Sequence, residues 1–273
     1  MFRRFGSRLT IVQRAERLLP AEEPERSATV HEAFEAETID VLTHTTCTSA
    51  QRTGDRVRIG CEGREREEIE GSHVLVAAGR TPNSDEFGLD ELDLAPDEHG
   101  FVPVDDHLHS AVEDVWALGD LRGGPMFTHT ARDDADAIYR RVYRNQERSI
   151  AGRVVPHAVF VDPEVASVGM TEQQARHAGH QLAIGRQDIS GVVRARAIGE
   201  TRGLIKFVVD TQSDHILGCH IAGPHAGELI HEAVVAIVVG ATYGDIRHAI
   251  HIHPTLSEGI NAAAGGVHRE TGT

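Results

Sequence analysis

The sequence is poor in cysteine, and its few cysteines form no recognisable site. Cys47, Cys61 and Cys219 are the three in a chain of 273 residues, and no C-x-x-C, C-x4-C or zinc-binding spacing occurs. This argues against a cysteine-based zinc site and against a disulfide-stapled secreted scaffold. Widely spaced single cysteines instead predict small, buried or half-buried residues in a reducing compartment.

Basic charge and long apolar runs are also scarce. The formal net charge of −15 disfavours nucleic acid and anionic membrane surfaces as partners, because both need a basic face. The longest apolar candidate, Ala233–Ala241, is far shorter than the roughly 18 residues of a membrane span. The first residues carry no signal-peptide apolar region, so we expect a cytoplasmic protein without a membrane partner.

The apolar patterns that are present begin as those of an α/β protein. Pro24–Ile39 predicts an amphipathic helix with Val30, Ala33 and Phe34 facing inward. Ser72–Gly79 is an uninterrupted apolar run, typical of a buried strand in a parallel sheet. Residues 101–105 and 114–120 predict two more strands, and a strong helical pattern follows them.

The pattern changes after a boundary near residues 146–156. Residues 204–223 predict a hairpin of two alternating strands around a polar turn. Helices follow, the last of them predicted to hold Pro254 in its first turn. Strands mixed with helices, then a hairpin sheet with helices, predict an α/β part followed by an α+β part.

Close to the C-terminus, the stretch HIHPTLSEG spaces a histidine and a glutamate five residues apart. Pro254 keeps His253 out of the helical region, and helical side chains lean toward the N-terminus, so Glu258 can reach back to His253. A carboxylate on one imidazole nitrogen fixes the tautomer and leaves the other nitrogen free to move a proton. The spacing alone is more typical of a surface histidine and a solvated glutamate at a helix N-terminus, because an isolated His/Glu spacing is common.

Histidine-rich metal binding is the competing interpretation of the same region. His107 with His109, and His251 with His253, each place two imidazoles on one strand face. No H-E-x-x-H motif occurs, and no other ligand spacing carries a metal mechanism. We therefore expect no metal site.

Six stretches of the sequence, taken together and in order, resemble one family. They are HVLVAAGRTPN, DVWALGD, FTHTA, DPEVASVGMTE, GCHIAGPHAGELI and HIHPTLSEG. This order is similar to that of the pyridine nucleotide–disulfide oxidoreductases, which include dihydrolipoamide dehydrogenase, glutathione reductase and mercuric-reductase-like flavoproteins. The resemblance covers nearly the whole chain. It implies an FAD-dependent NAD(P)H:disulfide oxidoreductase.

The resemblance also implies a domain organisation, in which parts of Rossmann-like FAD- and NAD(P)-binding domains precede an α+β dimerisation domain. Residues 1–79 resemble the second half of the NAD(P)-binding domain, residues 80–152 the returning segment of the FAD-binding domain, and residues 153–273 the dimerisation domain. The family's G-x-G-x-x-G turns and its C-x4-C redox disulfide do not occur in this sequence. We therefore expect a C-terminal fragment of a longer parent, inactive alone.

Cofactor-binding residues follow from the same resemblance. Asp120, with Gly119 before it, resembles the residue that binds the ribityl chain of FAD. The stretch FTHTA resembles a helix N-terminus that points at the pyrimidine edge of the flavin, and it supplies Thr128, His129 and Thr130.

A second group of residues resembles the nucleotide-binding part of the family. Gly79 resembles the residue that closes the last strand of the NAD(P)-binding domain. Gln13 stands where an acidic residue would bind the ribose of NAD, and Arg14 and Arg17 follow it. Arginines suit the 2′-phosphate, so this pattern favours NADP over NAD, with a solvated basic turn as the alternative.

His253 and Glu258 resemble the family's catalytic pair, which acts on thiols of the partner subunit in a dimer. This implies a homodimer formed through residues 153–273 and a small-molecule or protein dithiol or disulfide as substrate. The mercuric reductases that this chain resembles carry a C-terminal cysteine pair. The end of this sequence, GGVHRETGT, holds none, which argues against mercuric ion as the substrate. The alternative function is a non-catalytic dimerisation fragment that binds no flavin by itself.

Overall fold

The computed structural model describes residues 1–63, 67–85 and 88–269, and it divides the chain into two units. The first unit combines Met1–Leu75 with Pro156–Thr273, and the second is Val76–Val155. The strands are β1 (Thr10–Val12), β2 (Asp40–Leu42), β3 (Thr46–Thr53), β4 (Arg56–Glu62), β5 (Glu68–Gly71), β6 (His157–Val159), β7 (Glu164–Gly169), β8 (Leu182–Asp188), β9 (Leu204–Asp210), β10 (Ile216–Gly223) and β11 (His268–Arg269). The α-helices are α1 (Pro24–Ala36), α2 (Thr128–Arg144), α3 (Glu172–His177), α4 (Val193–Ile198), α5 (Ala226–Val238), α6 (Tyr243–His248) and α7 (Glu258–Gly265). None of the helices in these described ranges is both long and apolar enough to cross a bilayer.

The first unit begins with a short parallel sheet and the helix that connects its strands. β1 and β2 pair in parallel, and α1 lies between them in the sequence. Val30 and Ala33 are buried and Phe34 is half-buried, which confirms the predicted inward face of the helix. The helix is shorter than predicted, because the chain turns into the left-handed region at Thr38, where φ is 58°.

Three antiparallel strands form a separate small sheet in the order β3–β4–β5. A two-residue turn at Gly54 and Asp55 joins β3 to β4, and the positive φ of Gly54 (61°) suits such a turn. β3 is an edge strand, and it is exposed along its whole length.

The remainder of the first unit is a six-stranded antiparallel sheet in the order β11–β8–β9–β10–β7–β6. β9 and β10 form the predicted hairpin, and Ile205, Phe207 and Ile221 are completely buried in it. Helix α5 packs on β7 and β10, and α7 packs on β8 and β9. Alternating apolar positions on central strands therefore supply the core of this unit.

Three predicted strands are wrong. Residues 72–79 form no strand, and Leu75 and Val76 are each 81% exposed. Residues 101–105 and 114–120 also form no regular strand, apart from an isolated bridge between His109 and Trp116. An apolar run becomes a buried strand only where other strands complete its hydrogen-bond ladder, and no described strand pairs with residues 72–79.

Helix α1 is anchored to the large sheet by charged side chains that are almost entirely buried. Arg26 is 0% exposed and donates to Ala166 O at 2.9 Å and to Ser167 Oγ at 2.5 Å. Its guanidinium also forms an ion pair with Glu22 at 2.5 Å. Glu22 in turn accepts hydrogen bonds from Ser167, at 2.7 Å, and from His157.

A second buried cation lies on β9 beneath the same helix end. Lys206 Nζ is 2.9 Å from Glu23, 3.1 Å from Glu25 and 2.7 Å from Glu172. Burial acts to lower the pKa of Lys206, but hydrogen bonds to Glu172 and Glu23 outweigh it, so its pKa is raised. We call Glu22, Glu23, Arg26, Lys206 and Glu172 the α1 charge cluster.

Replacing Glu22 by glutamine should flatten the acid dependence of the stability of the first unit. Burial acts to raise the pKa of Glu22, but the hydrogen bond from His157 and the charge of Arg26 outweigh it and lower its pKa to about 2, from 4.5. Between these values the unfolded carboxyl binds more protons than the folded one, so the free energy of unfolding falls as the pH falls. One carboxyl contributes at most about 1.4 kcal/mol per pH unit to that slope.

The measurement is the free energy of unfolding between pH 5 and 2, from hydrogen exchange of β9 and β10 amides in urea. The control variant is Glu200→Gln, which removes an exposed carboxyl from the same unit and should keep the wild-type slope. Equal slopes for Glu22→Gln and the wild type would contradict the assignment.

Candidate active-site residues

His253 and Glu258 are hydrogen-bonded, as their spacing predicts. His253 Nδ1 lies 2.8 Å from Glu258 Oε1, and the Thr255 amide donates to Glu258 Oε2 at 2.9 Å. The prediction for the helix was wrong in one respect, because α7 begins at Glu258 and Pro254 lies before it. The side chain of Glu258 folds back onto the preceding loop from the first helical position, which places both of its oxygens on loop residues.

The electrostatics of the pair determine which nitrogen of His253 carries a proton. The hydrogen bonds from His253 and from the Thr255 amide lower the pKa of Glu258, so its carboxyl is ionised and can only accept. Nδ1 of the neutral imidazole must therefore carry the hydrogen, and Nε2 is left as the acceptor. The His253 side chain is 64% exposed, and its Nε2 makes no hydrogen bond to a described residue. The geometry is that of a proton acceptor open to a reactant.

The neighbouring histidine is arranged differently. Both ring nitrogens of His251 face acceptors, with Glu232 Oε1 at 2.9 Å from Nε2 and Ala249 O at 3.1 Å from Nδ1. Burial acts to lower the pKa of His251, but these two hydrogen bonds outweigh it and raise its pKa. His251 and His253 thus pair with different carboxylates. No group of three potential metal ligands occurs within residues 1–63, 67–85 and 88–269.

The predicted flavin-binding residues lie together in the second unit. Gly119 and Asp120 open a short 3-10 turn, Gly119–Arg122, that packs against the start of α2. Gly119 has φ +64°, and a Cβ atom there would lie 3.0 Å from the Cβ of Ala131, so glycine is required for this close approach. The carboxylate of Asp120 is 3.8 Å from Arg80.

The N-terminus of α2 is open to an acceptor. Phe127 occupies the N-cap position and has no side-chain oxygen with which to cap the helix, and Thr128, His129 and Thr130 form the first turn. The hydroxyl of Thr130 is buried and has no hydrogen-bond partner among the described residues. A 17-residue helix with such an end favours negative charge or an acceptor atom in front of it.

Asp134, which no motif in the sequence indicated, positions this turn. Its carboxylate is 0% exposed and accepts from the Gly119 amide at 2.9 Å and from Arg122 at 2.6 Å, and it pairs with Arg153 at 2.7 Å. These hydrogen bonds outweigh the effect of burial and lower the pKa of Asp134. The signal in the sequence was an aspartate on the same helical face as Thr130 and Ala137, where an apolar residue would be ordinary.

The predicted nucleotide-binding residues are divided between the two units. Gln13 follows β1, and its side chain accepts from the Ala15 amide at 3.1 Å. The guanidinium of Arg17 donates hydrogen bonds to Glu16 and to the carbonyl of Pro20, whereas Arg14 is exposed. Gly79 lies in the second unit with φ +125°, at the end of the segment that forms no strand.

Comparison with curated proteins identifies relatives along the whole chain. Dihydrolipoyl dehydrogenase of Thermus scotoductus is 35% identical over 274 aligned residues, which cover 99% of this chain and 59% of the relative. The mitochondrial dihydrolipoyl dehydrogenase of Pisum sativum is 35% identical, with 96% and 52% covered. The chain therefore spans little more than half the length of these relatives.

Solved structures include a protein whose fold is similar to that of this chain. The HOCl-induced flavoprotein disulfide reductase RclA from Escherichia coli superposes with a TM-score of 0.90 at 27% identity, covering 97% of this chain and 60% of that one. The family model for pyridine nucleotide-disulphide oxidoreductases matches residues 1–135, and the model for the dimerisation domain of the same family matches residues 155–264. The chain belongs to the pyridine nucleotide-disulphide oxidoreductase family.

Proposed function

We propose that this chain is part of an FAD-dependent NAD(P)H:disulfide oxidoreductase that acts on a dithiol or disulfide, as dihydrolipoyl dehydrogenases do. The observation that carries the proposal is the hydrogen bond between His253 and Glu258, which leaves Nε2 exposed as an acceptor. In a thiol reaction the thiolate is the reactive form, so a neutral imidazole that accepts a thiol proton promotes it. Glu258 would stabilise the imidazolium that results.

The residues of the second unit fit a flavin. Gly119 allows the backbone to approach closely, Asp120 presents an accessible carboxylate for a sugar-like hydroxyl, and the open start of α2 favours a ring edge that gains negative charge. When bound, FAD supplies the two-electron exchange between the nicotinamide and the sulfur centre. Asp134 would keep the Gly119–Arg122 turn in place as that charge changes.

For the nicotinamide cofactor, we propose NADP rather than NAD. Gln13 carries no charge to bind the ribose hydroxyls of NAD, and Arg14 is exposed near the end of β1, where a 2′-phosphate would need a cation. Arg17 contributes less, because its guanidinium is already bound to Glu16 and to a backbone carbonyl.

We also propose that the chain forms a homodimer through residues 153–273 and that the protein is cytoplasmic. Large apolar side chains are exposed on α5, at its C-cap and on the loop before His253; they are Val235, Val238, Val239, Ile250 and Ile252. Ile250 is 100% exposed and Ile252 is 79% exposed, and such a patch is typical of a protein interface. Since Ile252 precedes His253 directly, the catalytic pair would lie at the edge of that interface.

The experiment that tests the function compares the isolated chain with a completed protein, in which the chain is joined to the part of Thermus scotoductus dihydrolipoyl dehydrogenase that it does not cover. We expect the isolated 273 residues to show little or no reduction of NAD or NADP by dihydrolipoamide, because the sequence contains no G-x-G-x-x-G turn and no C-x4-C pair. The completed protein should bind FAD and turn over. Flavin absorbance and NAD(P)H absorbance are the measurements.

Either of two outcomes would revise the proposal. A yellow isolated chain with dithiol-dependent turnover would contradict the expected incompleteness. A folded completed protein that binds FAD but does not turn over would favour the alternative, a non-catalytic dimerisation segment.

A further inference from the structure

Two of the three cysteines face each other across the small sheet, although they are 14 positions apart in the sequence. Cys47 on β3 is the direct cross-strand partner of Cys61 on β4. The Cys61 amide donates to the carbonyl of Glu67, on the side away from β3, at 2.8 Å. Residues of an antiparallel strand direct their amide and carbonyl to the same side, so Cys47 and Cys61 form a pair that exchanges no backbone hydrogen bonds.

Such pairs bring side chains closest together. Their Cα atoms lie about 4.5 Å apart, against about 5.5 Å in a hydrogen-bonded pair. A disulfide needs a Cα separation of roughly 4.4–6.8 Å, so this pair can close without moving the strands apart. The two thiols also interact in the reduced state, since the facing Cys47 thiol adds to the effect of burial in raising the pKa of the Cys61 thiol.

The two thiols differ in exposure, and this difference determines which of them reacts first. Cys47 is exposed on an edge strand that is open along its whole length, and this corrects the expectation that every cysteine is at least half-buried. Cys61 is buried behind it. Cys219 is fully buried in the large sheet, where burial raises the pKa of its thiol to about 12, so it is inert.

We propose that Cys47 and Cys61 form a reversible redox site that reacts with small-molecule disulfides and is separate from the His253–Glu258 site. The Cys47 thiolate attacks a disulfide RSSR, forms a mixed disulfide and releases one RS⁻. The Cys61 thiolate then attacks the Cys47 sulfur, closes the cross-strand disulfide and releases the second RS⁻. The protein loses two electrons and two protons, and RSSR becomes two RSH.

Closure of this disulfide would tie the edge strand β3 to β4. Among the described strands β3 pairs only with β4, whereas β4 pairs on both sides, so the link would constrain β3 more than β4. No flavin takes part in the exchange, and the site is therefore testable on the 273-residue chain itself.

The test equilibrates the full chain with oxidised and reduced glutathione, followed by alkylation in denaturant and peptide mapping. We expect the number of free thiols to fall from three to one, with Cys47 linked to Cys61 in the same chain, and dithiothreitol to restore all three. Cys61→Ser should accumulate a glutathione adduct on Cys47, because the resolving thiol is missing. Cys219→Ala is the matched control and should form the same link as the wild type.

Two results would overturn the proposal, and both are read from the wild-type chain, so neither depends on how a variant folds. One is a chain that keeps three free thiols in oxidised glutathione. The other is any product in place of the Cys47–Cys61 bond, whether a stable glutathione adduct on Cys47 or a link between two chains.

Discussion

Arg26→Met should destabilise the first unit by about 3–5 kcal/mol, the largest effect on stability that we expect from a single substitution. The guanidinium is 0% exposed and bonds to the Ala166 carbonyl, to Ser167 and to Glu22. Methionine keeps much of the volume but leaves the Glu22 carboxylate without its buried cation and the carbonyl without its donor. Removing one partner of a buried ion pair costs far more than the pair itself contributes.

The measurement must report on the correct unit. The single tryptophan, Trp116, lies in the second unit, so its fluorescence does not report directly on the first. Hydrogen exchange of the β9 and β10 amides in urea does. The matched control is Arg186→Met, whose exposed pair with Glu25 should cost no more than about 1 kcal/mol. Equal losses for the two variants would show that burial of the α1 charge cluster contributes nothing.

Comparing the sequence with the structure shows which parts of the fold are encoded locally. The hairpin of β9 and β10 follows from neighbouring residues and was predicted. Helix α3, whose N-cap Thr171 forms a capping box with Gln174, also depends on neighbouring residues alone. The strand predicted at Ser72–Gly79 was wrong, because a buried strand depends on partners that a local apolar run does not specify. Helix α1 was predicted, yet its anchor was not, since Ala166 and Ser167, the partners of Arg26 on the large sheet, lie 140 and 141 positions away.

The candidate site likewise combines contacts that neighbouring residues indicate with contacts that they do not. His253 and Glu258 are five residues apart, so their hydrogen bond could be inferred from spacing and from the direction in which helical side chains lean. Asp134 reaches Gly119 from 15 positions along the chain, and the facing of Cys47 and Cys61 depends on the register of two strands. Register becomes visible only when the turn at Gly54 and the bulge between Cys47 and Ser49 are both known.

His253→Gln in the completed protein should lower kcat for dihydrolipoamide oxidation by about 10²- to 10⁴-fold, the range that a positioned acid/base group contributes. Glutamine can hydrogen-bond to Glu258 but cannot accept and hold a proton at neutral pH. The substrate thiol would then have to lose its proton to water, so the rate of the variant should rise with pH as the free thiolate becomes available. The measurement is steady-state kinetics between pH 6 and 9, with flavin content determined for every preparation.

Glu258→Gln separates the two roles within the pair. It keeps an acceptor for Nδ1 of His253 but removes the negative charge that stabilises the imidazolium, so we expect a smaller loss of kcat than for His253→Gln. His177→Gln, on the exposed face of α3, is the matched histidine control and should leave kcat unchanged. If His253→Gln retains wild-type kcat with full flavin content, another group must accept the thiol proton. His253 would then be a surface histidine in the loop before α7.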